Sequence, residues 1–114
     1  MYEIKRNTRI VMDSDIETWS REICHANILE VEAGTNGLHG GDAGHGSRAF
    51  LRIKDLGGTC MDAVINRDSW GNAEEIAISL GGDAEICSFI SALKFAIKVL
   101  EEATQNDPGG YKCK

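Results

Sequence analysis

Apolar and polar residues alternate along residues 28–33, 48–54 and 75–80, as they do in strands with one buried face. Residues 60–65 and a short apolar cluster within residues 1–12 are further strand candidates. Most connections between these segments are short, which favours antiparallel neighbours because parallel strands need long crossovers. The pattern predicts an antiparallel sheet of four or five strands.

The alternation also predicts which side chains enter the core. The inward-facing positions are Leu29, Val31, Ala33, Ala49, Leu51, Ile53, Ile76, Ile78 and Leu80. Along residues 48–54 the opposite face carries a different set of side chains, namely Arg48, Phe50, Arg52 and Lys54. A basic and aromatic strand face is therefore expected beside a conventional core.

Helical periodicity occurs twice. Ser14 and Glu17 have the spacing of a capping box, and the apolar residues that follow at helical intervals predict a short N-terminal helix over residues 15–26. Those apolar residues are Ile16, Trp19 and Ile23. A long C-terminal helix is predicted after Gly81-Gly82-Asp83, where Asp83 is a suitable N-cap. Its apolar positions, at three- and four-residue steps, are Ile86, Phe89, Ile90, Leu93, Ile97 and Leu100.

The fold class predicted from these elements is α+β, with the sheet packed by the C-terminal helix. At 114 residues the chain is expected to form a single domain over residues 1–114. Within it we expect an N-terminal extension (1–27), the sheet plus helix (28–104) and a tail (105–114).

The composition excludes some classes of partner and favours one cellular location. A net charge of −6 argues against extended nucleic acid as a partner, because proteins that bind it usually carry an excess of Lys and Arg. No apolar run approaches the roughly 20 residues that span a bilayer, so no membrane association is expected. The chain shows no secretory signal, and its four cysteines include no Cys-x-x-Cys pair. Reduced thiols and a cytoplasmic location are expected.

The segment from Gly34 to Arg48 is the feature most indicative of function. It contains six glycines between two predicted strands, whereas a hairpin usually needs two to five connecting residues. Glycine lets a ligand approach the backbone, and successive amides in such turns can bind an anion. The segment has no lysine and does not open a helix, so it matches neither the Walker nor the dinucleotide template. The structural alternative is a flexible surface loop.

Together with the strand that follows, this loop is predicted to bind a small anionic or nucleotide-like ligand. An arginine can grip a phosphate with two hydrogen bonds, and an aromatic ring can stack on a base. The candidate ligand-binding residues are Thr35, Asn36, Gly37, His39, Gly40, Gly41, Asp42, Gly44, His45, Gly46, Ser47, Arg48, Phe50 and Arg52. The competing interpretation pairs Arg48 and Arg52 with Glu30 and Glu32 across the strands and buries Phe50 under a neighbouring element.

A metal-dependent enzyme is the alternative function. His39, Asp42 and His45 are three ligand types that zinc accepts, at even three-residue steps. A glycine-rich loop is poorly preorganised for this purpose, and no cofactor is predicted. Cys60 or Ser47 could pair with a histidine as nucleophile and base, but nothing positions them. We therefore expect a binding protein rather than an enzyme.

The motif Gly34-Thr35-Asn36-Gly37, continued by Gly40-Gly41-Asp42-x-Gly44-His45-Gly46-x-Arg48, resembles one in short uncharacterised proteins of phages and mobile elements. Those proteins are also similar around Gly81-Gly82-Asp83, so the resemblance covers roughly residues 29–102. It carries no established activity. It implies a phage-encoded protein in the host cytoplasm that sequesters a nucleotide immune signal.

Two further expectations concern protein partners. The acidic balance also allows an inhibitor that binds a host defence protein. A domain with one sheet and one long helix leaves a sheet face or edge to cover, so a homo-oligomer is expected.

Overall fold

The computed structural model of the chain describes residues 4–40, 44 and 46–104. Within these residues, six strands and one long helix follow in chain order. They are β1 (Lys5–Val11), β2 (Ser14–Cys24), β3 (Ile28–Thr35), β4 (Ala49–Gly57), β5 (Cys60–Arg67), β6 (Ala73–Gly81) and α1 (Asp83–Thr104). The α+β class and the C-terminal helix are confirmed.

The strands form two separate sheets. β1, β2, β3 and β4 make an antiparallel meander in that order, and α1 packs on one face of it, mainly over β3. β5 and β6 pair only with each other and form a two-stranded ribbon between the sheet and the helix in the sequence. The prediction that these two strands extend the main sheet is wrong.

The core lies between the meander and α1. From the sheet, Ile23, Val31 and Ala33 are buried against the helix. From α1, Phe95 is buried together with Ala92 and Ala96, whose small side chains let the helix approach β3 closely. These contacts fix α1 on the sheet.

The predicted N-terminal helix over residues 15–26 is wrong, because Ser14–Cys24 is the strand β2. It follows a two-residue hairpin turn in which Met12 and Asp13 have φ of 48° and 69°. A type I′ turn needs positive φ at both central positions, and it matches the twist of the paired strands. Hydrogen bonding to β1 on one side and β3 on the other outweighs the helical spacing of three apolar residues.

Several predicted core positions are exposed. In the strands, Leu51, Ile76 and Ile78 are 52%, 64% and 42% exposed, and Ala49 is also exposed. Of the six apolar positions that predicted α1, Phe89 and Leu100 are half-buried, and the other four are exposed: Ile86, Ile90, Leu93 and Ile97. The helix instead buries Ser88, Ala92, Phe95 and Ala96. α1 is thus apolar on more than the face that meets the sheet.

A buried polar cluster joins the turns to the helix. Asn27, fully buried between β2 and β3, donates from its side-chain amide to the hydroxyl of Thr59 at 2.7 Å. Its side-chain oxygen accepts a hydrogen bond from the hydroxyl of Ser88 at 2.8 Å. The partners satisfy one another, which offsets the cost of burying them. Among the described residues no helix has the length and apolarity needed to cross a membrane.

Candidate functional site

The base of the glycine-rich loop is closed by Asn36, the first residue after β3. Its side-chain amide donates to the carbonyl oxygen of Gly46 at 2.9 Å, and its side-chain oxygen accepts from the backbone N–H of Arg48 at 2.7 Å. The backbone N–H of Asn36 and the hydroxyl of Thr35 both donate to the carbonyl oxygen of Arg48, at 3.2 and 2.7 Å. Both ends of the loop are therefore tied to each other.

Further hydrogen bonds order the part of the loop next to this base. The backbone N–H of His39 donates to the hydroxyl of Ser47 at 2.8 Å, and its ring Nε2 lies 3.1 Å from the carbonyl oxygen of Asn36. The glycines in the left-handed backbone region, which other residues rarely adopt, include Gly37, Gly40 and Gly46, at φ of 96°, 94° and 93°. The loop follows a path that depends on glycine and on polar cross-links.

The predicted metal ligands are only partly covered by the structure. His39 is exposed and hydrogen-bonded as described above, whereas Asp42 and His45 lie outside the described residues, as does Gly41. Among the residues that are described, no three His, Cys, Asp or Glu side chains come together in a metal-binding group.

Next to the loop, the sheet face opposite α1 carries a buried carboxylate, Glu32. Its side chain is 1% exposed, and each of its oxygens accepts two hydrogen bonds. Arg9 donates to both oxygens, from Nη2 at 2.6 Å and from Nε at 2.7 Å. Arg52 Nε donates at 2.8 Å, and the hydroxyl of Thr18 donates at 2.6 Å. Three neighbouring strands thus converge on one carboxylate of β3.

The donors stabilise the charged form of Glu32. The hydrogen bonds from Arg9 lower its pKa most, burial acts in the opposite direction, and Thr18 and Arg52 lower it further, to about 2. The same contacts raise the pKa of Arg9, chiefly through its hydrogen bonds to Glu32. The cluster is therefore an ionised structural network at neutral pH.

Two of the strand-face residues predicted to bind ligand, Arg52 and Phe50, belong to this network or contact it. Besides Glu32, Arg52 binds Glu30 through Nη2 at 2.8 Å. Phe50 lies under the guanidinium of Arg9, whose carbon is 5.3 Å from the ring centroid. For Arg52 the structure shows the cross-strand pairing of the alternative interpretation, and Phe50 is half-buried beside Arg9. Arg9 was not among the predicted site residues, because the sequence does not show which strands lie next to β1.

Arg48 is placed differently from Arg52. It precedes β4 at the base of the loop, and its Nη1 donates to the carbonyl oxygen of Ser47 at 2.9 Å. Beyond it, the polar sheet face has more basic than acidic strand residues in a chain of net charge −6. By strand register the basic members are Lys5, Arg9, Arg52 and Lys54, and the acidic members are Glu22, Glu30 and Glu32. The loop therefore opens beside a sheet face with one more basic than acidic strand residue.

The other side of the sheet offers a groove that the sequence did not reveal. It lies between α1 and β2, encloses about 1110 Å³, and has Trp19 and Phe95 among its apolar lining residues. Its charged lining residues are three basic ones, Arg21, Lys94 and Lys98, and three acidic ones, Glu17, Glu22 and Glu102. The predicted helix over residues 15–26 gave no reason to place Trp19 and Arg21 beside the C-terminal helix. The sequence therefore did not group these side chains with those of α1.

Comparisons of the chain with protein-family models, with curated proteins and with solved structures find no match. The resemblance of residues 34–48 to proteins of phages and mobile elements therefore stays a prediction.

Proposed function

We propose that the protein binds a small anionic ligand at the loop between β3 and β4, with Arg48 as the principal charged contact. The observation that carries this proposal is the closed base of the loop, where the Asn36 side chain bridges Gly46 and Arg48. A connection that served only as a spacer would not need this set of polar cross-links. Loops presented by a rigid sheet are a common location of binding sites.

The local charge supports an anionic ligand. Basic residues outnumber acidic ones on the adjoining sheet face, although the whole chain is acidic. Arg52 and Arg9 are engaged by Glu32, so they contribute to the field rather than gripping a phosphate directly. Backbone amides in glycine-rich turns add donors without a desolvated charge of their own.

A nucleotide-like compound is the ligand class we propose to test first. The resemblance of the loop to phage and mobile-element proteins makes sequestration of a host nucleotide immune signal the biological role to examine. Binding without turnover suits this role.

The test is a titration of the purified chain with cyclic nucleotides and cyclic ADP-ribose isomers, followed by calorimetry and thermal melting. A bound ligand raises the melting temperature because it stabilises the folded state alone. Arg48→Ala is expected to weaken binding roughly 10- to 100-fold, the effect of losing a charge-assisted hydrogen bond. Arg67→Ala is the matched control, because Arg67 also donates from Nη1 to a nearby carbonyl oxygen, that of Gly71, but lies in the ribbon.

Two results would contradict this proposal. One is failure of every compound in the panel to bind. The other is a ligand that binds Arg48→Ala and the wild-type chain equally well, which would place the site elsewhere.

The groove between α1 and β2 is the second candidate site for the same class of ligand. An aromatic ring and a volume of about 1110 Å³ suit a flat ligand of nucleotide size, and basic and acidic side chains line the groove in equal number. Tryptophan fluorescence separates the two sites. The chain has two tryptophans, and Trp70→Phe leaves Trp19 in the groove as the reporter. A ligand in the groove changes this emission, whereas a ligand at the loop leaves it unchanged and responds to Arg48→Ala.

A further inference from the structure

The β5–β6 ribbon lacks the packing that normally stabilises a pair of strands. An isolated two-stranded hairpin is marginally stable in water unless a third strand or a helix covers it. Apart from Met61 and Leu80, which are half-buried, every residue of β5 and β6 is exposed. Another surface is needed to cover the ribbon.

One face of the ribbon is continuously apolar. Cross-strand partners share a face, and the register pairs Met61 with Leu80, Ala63 with Ile78 and Ile65 with Ile76. The opposite face is mixed, with Asp62 beside Ser79 and Asn66 beside Glu75. The apolar face runs about 13 Å along β6 from Ile76 to Leu80, at the usual rise of a strand.

A second uncovered apolar surface lies on α1. Ile86, Ile90, Leu93 and Ile97 follow at steps of four, three and four residues, so they form one stripe along the helix. Their exposed fractions range from 36% to 55%. The stripe is about 16 Å long at the rise of an α-helix, which is comparable to the ribbon face.

Within one copy of the chain these two surfaces remain exposed, so they do not cover each other. A helix stripe and an apolar strand face are the natural packing partners of one another. A second copy of this chain supplies both. If the ribbon of each copy lies on the helix of the other, a single two-fold contact covers all four surfaces.

The exposed area is sufficient for such a contact. Seven large side chains of the two surfaces are 36–64% exposed, namely Ile65, Ile76, Ile78, Ile86, Ile90, Leu93 and Ile97. At roughly 90–100 Å² each, they offer on the order of 650 Å² of mostly apolar surface per copy, against about 800 Å² per partner in a standard interface. The core of such an interface is itself predominantly apolar.

We propose that the protein is a two-fold dimer in which the apolar face of the β5–β6 ribbon of each copy packs on the Ile86–Ile97 stripe of the other. This contact uses none of the residues proposed for the anion site at the loop between β3 and β4. It gives the ribbon the helix cover that it lacks in one chain.

The test uses one variant in each surface. Ile78→Glu places a charge in the middle of the ribbon face, and Ile90→Lys places one in the middle of the helix stripe. Light scattering and sedimentation at tens of micromolar distinguish one 12.4 kDa chain from two. Each variant alone is expected to weaken the dimer roughly 100-fold or more, because both contacts of the dimer then bury a charge.

Mixing the two variants identifies which surfaces meet. The copy with Ile78→Glu keeps an intact helix, and the copy with Ile90→Lys keeps an intact ribbon, so the mixed dimer has one native contact and one contact with opposite charges. Association is expected to return on mixing. Val64→Glu, on the other face of the ribbon, and Lys98→Glu, outside the stripe, are the matched controls and leave the dimer intact.

Four results would overturn the proposal. They are a wild-type chain that is monomeric at these concentrations, a wild-type assembly larger than a dimer, a variant pair of which only one member dissociates, and a mixture that stays monomeric. Dissociation of one member alone would indicate ribbon–ribbon or helix–helix contact. Circular dichroism of each variant verifies that the main sheet and α1 stay folded, and both substituted positions are exposed within the chain.

Discussion

Two of the antiparallel hairpins, β2–β3 and β5–β6, contain strands of alternating sequence but have opposite surroundings. In the β2–β3 hairpin, Val31 and Ala33 are fully buried under α1, and the opposite face holds Glu32 at 1% exposure. In the β5–β6 hairpin, Val64 and Ile65 are both 52% exposed. Alternation shows that a strand has two unlike faces, but it does not say whether anything covers them.

The difference arises from the strands and helix that surround each hairpin. β2 and β3 have strands on both sides, a helix over one face, and the arginines of two neighbouring strands over the other. The ribbon has the helix only at its end, where β6 leads through Gly82 into α1. The stability of the chain should therefore reside in the sheet with its helix, and the ribbon should contribute little to it.

The largest effect is expected at the buried carboxylate. Glu32→Ala leaves the guanidinium groups of Arg9 and Arg52 facing each other without their shared partner. Removing one member of a buried ion pair is strongly destabilising, and here we expect about 2–4 kcal/mol, since both arginines keep some contact with water. Urea denaturation followed by circular dichroism gives the difference in the free energy of unfolding.

Glu75→Ala in the ribbon is the matched control. Glu75 also accepts a cross-strand hydrogen bond, from the Asn66 side chain at 2.5 Å, but both residues are exposed. Its removal is expected to change the free energy of unfolding by less than about 0.5 kcal/mol. Equal effects at Glu32 and Glu75 would erase the distinction between the two hairpins.

The sequence predicted the class of the fold, the long helix and the loop between two strands, and it offered the pairing of Arg52 with acidic neighbours only as the alternative to ligand binding. These follow from local periodicity and from strands adjacent in the chain. It misassigned β2 because Ile16, Trp19 and Ile23 fit a helical spacing as well as a paired strand. The two positive φ values at Met12 and Asp13, which make the hairpin, have no glycine to signal them.

The missed residues are those that depend on contacts between distant strands. Arg9 reaches Glu32 across β2, 23 positions along the chain, and this requires knowing that β1 and β3 flank the same strand. Trp19 and Lys98 line one groove only because the misassigned segment is a strand under α1. The failure of the α1 stripe to pack inward has a different cause, because an apolar helix face indicates burial without identifying the partner.

A direct comparison of packing comes from one substitution made in both hairpins. Val31→Ala removes two buried methyl groups and leaves a cavity under α1, which is expected to cost about 2–3 kcal/mol. Val64→Ala removes the same atoms from an exposed position on the mixed face of the ribbon, and a change within about 0.5 kcal/mol is expected. Thermal and urea unfolding of both variants measure the contrast. A cost at Val64 that approached the one at Val31 would show that both faces of the ribbon are covered in solution.

The last contrast between the two hairpins is a pH dependence that belongs to the sheet and not to the ribbon. Arg9, Thr18 and Arg52 hold the pKa of Glu32 at about 2, below its ordinary value of 4.5, so the folded state binds a proton less readily than the unfolded state. This contribution to stability is complete above the unfolded value and is lost as the pH falls from about 4.5 towards 2. Urea midpoints of the wild-type chain should therefore fall more steeply over this interval than those of Glu32→Gln. Glu75→Gln should retain the wild-type slope, and an unchanged slope in Glu32→Gln would show that the Glu32 network does not govern acid stability.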